Sequence, residues 1–148
     1  MATFTVIYGS TYGSAKTAAL DICDELTALG HDAKCLHSPT AESVTDSAVD
    51  CLVVTCATIG MGEIPSNLMP LFCELKDTLP QCEGQRYAMV AFGDSSYETF
   101  IEAPLQLEEL LHDMQMKPAI ERLVIDAAEV SDPEELIIPW VNSLLDTL

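Results

Sequence analysis

Basic side chains are scarce in this chain: six Lys and Arg stand against 24 Asp and Glu, a formal net charge of −18. Such a surface repels phosphodiester backbones and anionic bilayers. It disfavours nucleic acid and membranes as partners and favours a basic protein drawn in by electrostatic steering, although acidity also serves solubility. Long hydrophobic runs are missing too. The apolar stretches are strand-length, which argues against a membrane-spanning helix. No basic n-region precedes the first of them, so no secretory signal is expected. The six cysteines, Cys23, Cys35, Cys51, Cys56, Cys73 and Cys82, form no C-x-x-C pair and mostly sit inside apolar runs. They are expected as buried free thiols in a cytoplasmic protein. No repeat, linker or low-complexity stretch divides the 148 residues, so one domain spanning 1–148 is expected.

What is present alternates. Strand-like runs occupy 3–9, 32–37, 50–57, 86–93 and 120–127. Between them, apolar residues at i, i+3, i+4, i+7 spacing predict helices over 14–29, about 67–79 and about 104–116, with a last one near 139–147. Gly30 stands where a helix C-terminus would be capped, and Pro139 is expected to begin the last helix, because a proline deeper inside would break it. Segment 38–49 is too polar to assign. The alternation implies an α/β fold, a doubly wound, five-stranded parallel sheet covered by helices on both faces. Ligands of such sheets bind outside the carboxyl ends of the strands, at the switch point of strand order.

The segments following strands one, three and four are therefore the ones to read: "GSTYGSA", "ATIGMGEIPSN" and "FGDSSYETF". The first offers hydroxyls from Ser10, Thr11, Tyr12 and Ser14 and flexibility from Gly13 at the start of a helix, where free N–H groups and the positive dipole end favour an anion. It is not a Walker A loop, since Ala15 rather than Gly precedes Lys16-Thr17, nor a dinucleotide fingerprint, since Ser10 and Thr11 follow Gly9. A hydroxyl-lined nest without a metal-binding acid or a catalytic lysine suits a phosphate that is held and not transferred. In the second segment, Gly60 and Gly62, flanked by Thr58, Ile59 and Met61, allow backbone to approach a flat ligand. In the third, Gly93 and Asp94 open a turn that presents Tyr97, with Phe100 just beyond, and a tyrosine there can stack on a ring. Taken singly, each also reads as ordinary structure: a Ser/Thr-rich helix cap, a glycine turn, a tyrosine packed on its own loop. Together they ask for a ligand with a phosphate at one end and a planar ring at the other.

These three segments resemble those of the flavodoxins, and the resemblance runs along essentially the whole chain in its short form, most like the small MioC-like bacterial flavodoxins. "YGSTYGSA" is similar to the loop that holds the FMN phosphate, "FGDSSYETF" to the ring-stacking loop, and "TIGMGEIPSN" to the middle loop of the MioC-like proteins and of diflavin reductase FMN domains. The resemblance implies strand order 2-1-3-4-5 and non-covalent FMN. Ser10, Thr11, Tyr12, Gly13, Ser14 and Ala15 would hold the phosphate; Thr58, Ile59, Gly60, Met61, Gly62, Gly93, Asp94, Tyr97 and Phe100 would line the isoalloxazine. It further implies that the Gly60–Met61 peptide turns toward flavin N5 when the flavin is reduced. Departures exist: Tyr12 replaces a usual Thr, Ala15 a usual Thr or Ser, and Ile59 stands where most flavodoxins carry Trp or Tyr.

The function so implied is that of a monomeric one-electron carrier, not a substrate-converting enzyme. It would take electrons from an NAD(P)H-dependent flavodoxin reductase and pass them to acceptor redox enzymes that dock through basic surfaces. Two other readings stay open, a flavin-dependent reductase of the same fold and a regulatory protein with weakened FMN binding, for which Ile59 is the motive. A response regulator fits poorly, because strand three ends Thr55-Cys56-Ala57 without a phosphoacceptor aspartate.

Overall fold

The computed structural model describes residues 1–10, 13–58, 62–96 and 100–148. The expectations placed on Thr11, Tyr12, Ile59, Gly60, Met61 and Tyr97 lie outside the described residues.

The apolar runs become parallel strands: β1 (Thr3–Gly9), β2 (Asp32–Leu36), β3 (Cys51–Ala57) and β4 (Arg86–Gly93), with the last strand in two pieces, β5 (Lys117–Pro118) and β6 (Leu123–Asp126). Their order is β2-β1-β3-β4-β5, and β6 lies beside β4 as well, so the predicted order holds with a divided edge. The strand expected over 120–127 begins only at Leu123, and a short piece at Lys117–Pro118 pairs ahead of the expected start. Between the two pieces Glu121 turns its carbonyl to the indole N–H of Trp140, 3.1 Å away, and Arg122 pairs with Glu108. The Glu121 carbonyl thus bonds a side chain of α5 and not a neighbouring strand.

Period-2 alternation sends Phe4, Val6, Tyr8, Val53, Val90 and Ile125 to one face of the sheet, under α1 (Ser14–Ala28) and α5 (Glu134–Asp146). Ile7, Leu52, Val54, Cys56, Tyr87 and Met89 face the other way, under α3 (Met69–Thr78) and α4 (Glu102–Asp113). The polar stretch left unassigned contains a single short turn of helix, α2 (Ala41–Val44), capped reciprocally by Thr40 and Ser43. At the C-terminus of α1, Gly30 adopts φ +88°, and the N–H groups of Gly30 and His31 bond the carbonyls of Thr27 and Leu26. This left-handed closure is open to glycine without strain.

The start of the last helix is a correction. Pro139 does not begin α5 but lies inside it. The helix starts earlier, where the Asp132 carboxylate accepts the Glu134 N–H at 3.2 Å. An internal proline costs about 3 kcal/mol through a lost hydrogen bond and a clash. Here Pro139 is exposed, so the orphaned carbonyl of the preceding turn meets water, while Ile137, Trp140, Val141 and Leu144 bury the opposite face. The expectation for cysteine is met only in part. All six are free thiols, with Cys51, Cys56 and Cys82 buried, but Cys23 and Cys35 are half-buried and Cys73, on α3, is exposed.

Candidate functional site

Register brings the three segments together. Gly9 pairs with Cys56, Cys56 with Ala91 and Ala91 with Val124, so β1, β3, β4 and β6 end at nearly the same rung. Ser10, Thr58, Gly93 and Asp126 thus leave the sheet side by side at its carboxyl edge.

At the first loop, Gly13 takes φ +94° and leads directly into α1. Among the described residues no side chain caps this helix, and its first turn carries no acid. The N–H groups of Ser14, Ala15 and Lys16 have no intrahelical acceptors to bond, and the positive end of the dipole lies behind them. Ala15 is fully buried, and its methyl offers a ligand no hydrogen bond. Ser10 donates its N–H to Asn67 Oδ1 at 3.1 Å, and its Oγ accepts the Gly13 N–H at 2.8 Å. Among the described residues its own O–H has no acceptor and can donate to a ligand. Under the loop, the wholly buried Thr55 donates its hydroxyl to the Ala15 carbonyl at 2.7 Å, fixing the first turn of α1 to β3. An uncapped, acid-free helix start with hydroxyl donors around it fits a phosphate.

The second loop is gripped at both ends by α4. Thr58 Oγ1 accepts the Ala103 N–H at 3.3 Å, and Gln106 Nε2 donates to the Gly62 carbonyl at 3.1 Å. Gly62 has φ +93°, and a Cβ there would overlap the Glu102 carboxylate. The third loop closes on itself, since a Cβ on Gly93 would run into the Phe100 carbonyl. Within it Asp94 Oδ1 accepts the Ser96 N–H at 2.9 Å and the Ser96 hydroxyl at 2.5 Å. From the neighbouring strand end, Asp126 Oδ1 accepts the N–H groups of Ser95 at 3.0 Å and Ala128 at 2.9 Å. Hydrogen bonds from Ser95, side chain first and then backbone, hold the Asp126 carboxyl below the usual carboxylate range.

Among the described residues, Ser10, Gly13, Thr58, Gly62, Asp94 and Phe100 lie in loops of this one edge, with Ser14 and Ala15 opening α1 and Gly93 ending β4 beside them. The residues that fix those loops, Asn67, Thr55, Gln106 and Asp126, were not among the expected ones. Thr55 did leave a signal, as a hydroxyl in the otherwise apolar centre of β3, "CLVVTCA". Among the described residues no three His, Cys, Asp or Glu side chains form a metal site, and no helix is long and apolar enough to cross a membrane.

The family model for flavodoxin matches residues 6–140. The chain is 33% identical over 142 residues to flavodoxin YqcA of Escherichia coli, covering 96% of this chain and 95% of that one. It is 34% identical over 143 residues to a MioC homolog of Haemophilus influenzae, with 97% of each covered. Among solved structures, a cysteine-to-serine mutant of a flavodoxin from Pseudomonas aeruginosa superposes with a TM-score of 0.90 at 31% identity, covering 99% of this chain and 98% of that one. A family match over most of the length, joined to the strand order and the loop edge described above, shows that the chain belongs to the flavodoxin family.

Proposed function

We propose that this chain is an FMN-binding one-electron carrier that shuttles electrons from an NAD(P)H-dependent reductase to acceptor enzymes. The observation that carries the reading is the uncapped, acid-free start of α1 beside the Ser10 hydroxyl, at the edge where the glycine-bearing second and third loops also emerge. Ser10, Gly13, Ser14 and Ala15 hold the phosphate through hydroxyl and amide donors. Thr58, Gly62, Gly93, Asp94 and Phe100 would frame the ring. Bound FMN supplies the redox chemistry, and the protein contributes binding, orientation and field. Glu63, Glu102 and Asp94 lie in or beside the ring loops of a chain of net charge −18. Their field disfavours gain of negative charge by the flavin and steers basic partner surfaces toward this edge.

Titrating the apoprotein with FMN and with riboflavin tests the reading. A phosphate recognised by fixed donors makes FMN at least tenfold the tighter ligand, the equivalent of about 1.4 kcal/mol. Equal affinities overturn it.

A further inference from the structure

Asn67 stands between β3 and α3, and every hydrogen-bonding group of its side-chain amide serves the first loop or the strand ends beside it. Nδ2 donates to the Tyr8 carbonyl at 2.6 Å and to the His37 carbonyl at 3.1 Å, while Oδ1 accepts the Ser10 N–H at 3.1 Å. The β1–β2 ladder ends at the pair Ile7–Leu36, so Tyr8 and His37 lie one step past its last rung. Asn67 supplies the rung that the diverging strands no longer make. A second tie crosses the same gap, with the Tyr8 hydroxyl 2.5 Å from His37 Nδ1. The difference between the two ties is Ser10. Asn67 alone fixes the Ser10 amide, which orients Ser10 Oγ as acceptor for the Gly13 N–H and so sets the turn from which α1 starts.

We propose that Asn67 is a positioning residue for cofactor phosphate, acting through Ser10 and Gly13 to hold the anion-binding turn in place before the ligand arrives. The inference rests on the FMN reading above. Preorganised donors bind without the cost of ordering them, so loosening the turn weakens the phosphate contribution and leaves the ring contribution alone.

The test compares FMN and riboflavin affinities of apoprotein by flavin fluorescence in wild type, Asn67→Ala and Tyr8→Phe, with urea midpoints alongside. Asn67→Ala is expected to lose about tenfold in FMN affinity, the scale of one or two net hydrogen bonds, with riboflavin affinity unchanged within about twofold. Tyr8→Phe removes the other tie across the same strand ends and leaves Ser10 bonded, so it is expected to keep the wild-type FMN-to-riboflavin ratio. Asn67→Ser, too short to reach Ser10, substitutes if the alanine variant does not fold. A wild type that prefers FMN, with the same ratio in the Asn67 variant, overturns the positioning role alone. An equal fall for both ligands does the same, since it marks a general structural loss. A wild type with no preference overturns the FMN reading and this inference with it.

Discussion

The buried polar cluster between β4 and α4 yields a prediction whose size follows from its geometry. Tyr87, 1% exposed, has one phenolic proton and donates it to Glu108 Oε2 at 2.8 Å. The 2.6 Å contact between His112 Nε2 and the Tyr87 hydroxyl oxygen is therefore a bond in which the imidazole donates. Glu108, 8% exposed, completes its coordination with Arg122 Nε on the interrupted last strand. Burial, then the bond to Glu108 and the charge it carries, push the Tyr87 hydroxyl well above its ordinary pKa, so it stays a donor throughout the neutral range. Tyr87→Phe keeps the ring and removes only the oxygen. It deprives a buried carboxylate oxygen of its donor, and a hydrogen bond to a charged group is worth about 1.5–3 kcal/mol. With a urea m-value of about 1–3 kcal/mol per molar, the midpoint falls by roughly 1 M. At about 2–4 °C per kcal/mol for a chain of this size, Tm falls by roughly 3–12 °C. Removing His112, which is exposed, should cost less than about 1 kcal/mol, because water replaces its donor. Urea melts of the two variants decide the matter. A Tyr87→Phe midpoint within about 0.2 M of wild type, or a larger loss from His112→Ala than from Tyr87→Phe, refutes the assignment of donor and acceptor.

Two further outcomes are expected. Burial pushes the Cys51 thiol up to about 12 and raises Cys56 further, whereas thiols in the unfolded chain ionise near ~8.5–9. Stability from these groups is thus complete below the unfolded value and is lost as pH rises. By pH 10 the loss is about 1.4 kcal/mol per thiol, so reduced protein should show a urea midpoint drop between pH 7 and 10 that is smaller in a Cys51→Ala/Cys56→Ala variant, and an equal drop in both would sink the argument. Gly93→Ala places a methyl against the Phe100 carbonyl and should displace the third loop, weakening FMN at least ~10-fold while costing about 1–3 kcal/mol of stability; wild-type affinity would show that this loop does not frame the ring.

The sequence made the strands and most helices readable because their signals are local. The continuous apolar runs "TFTVIYG" and "RYAMVAFG" are readable with no partner known, and the observed bounds of β1 and β4 match the expected ones. The misjudged elements are those decided by distant partners. Pro139 looked like a helix start because the rule against internal proline is local. The burial of Ile137 and Trp140 that outweighs it is tertiary. The last strand broke where Arg122 and Glu121 found partners 14 and 19 residues away, which no periodicity encodes.

The same division runs through the candidate site. Among the described residues, Ser10, Gly13, Thr58, Gly62 and Gly93 lie at the expected strand ends and helix start, since a turn and a helix start advertise themselves over a few residues. The ties that give those loops a fixed shape span 57 residues from Ser10 to Asn67, 44 from Gly62 to Gln106, 40 from Ala15 to Thr55 and 31 from Ser95 to Asp126. Each uses one polar side chain whose partner is a backbone group of no particular sequence, so neither end carries a readable motif. Loop composition therefore tells which ligand chemistry the edge favours, while the precision with which it is held is set by residues far along the chain. Substitutions at Asn67, Thr55 or Gln106 should on this account weaken the contribution of the loop each one holds, the first loop for Asn67 and Thr55 and the second for Gln106, because they move the donors and do not replace them.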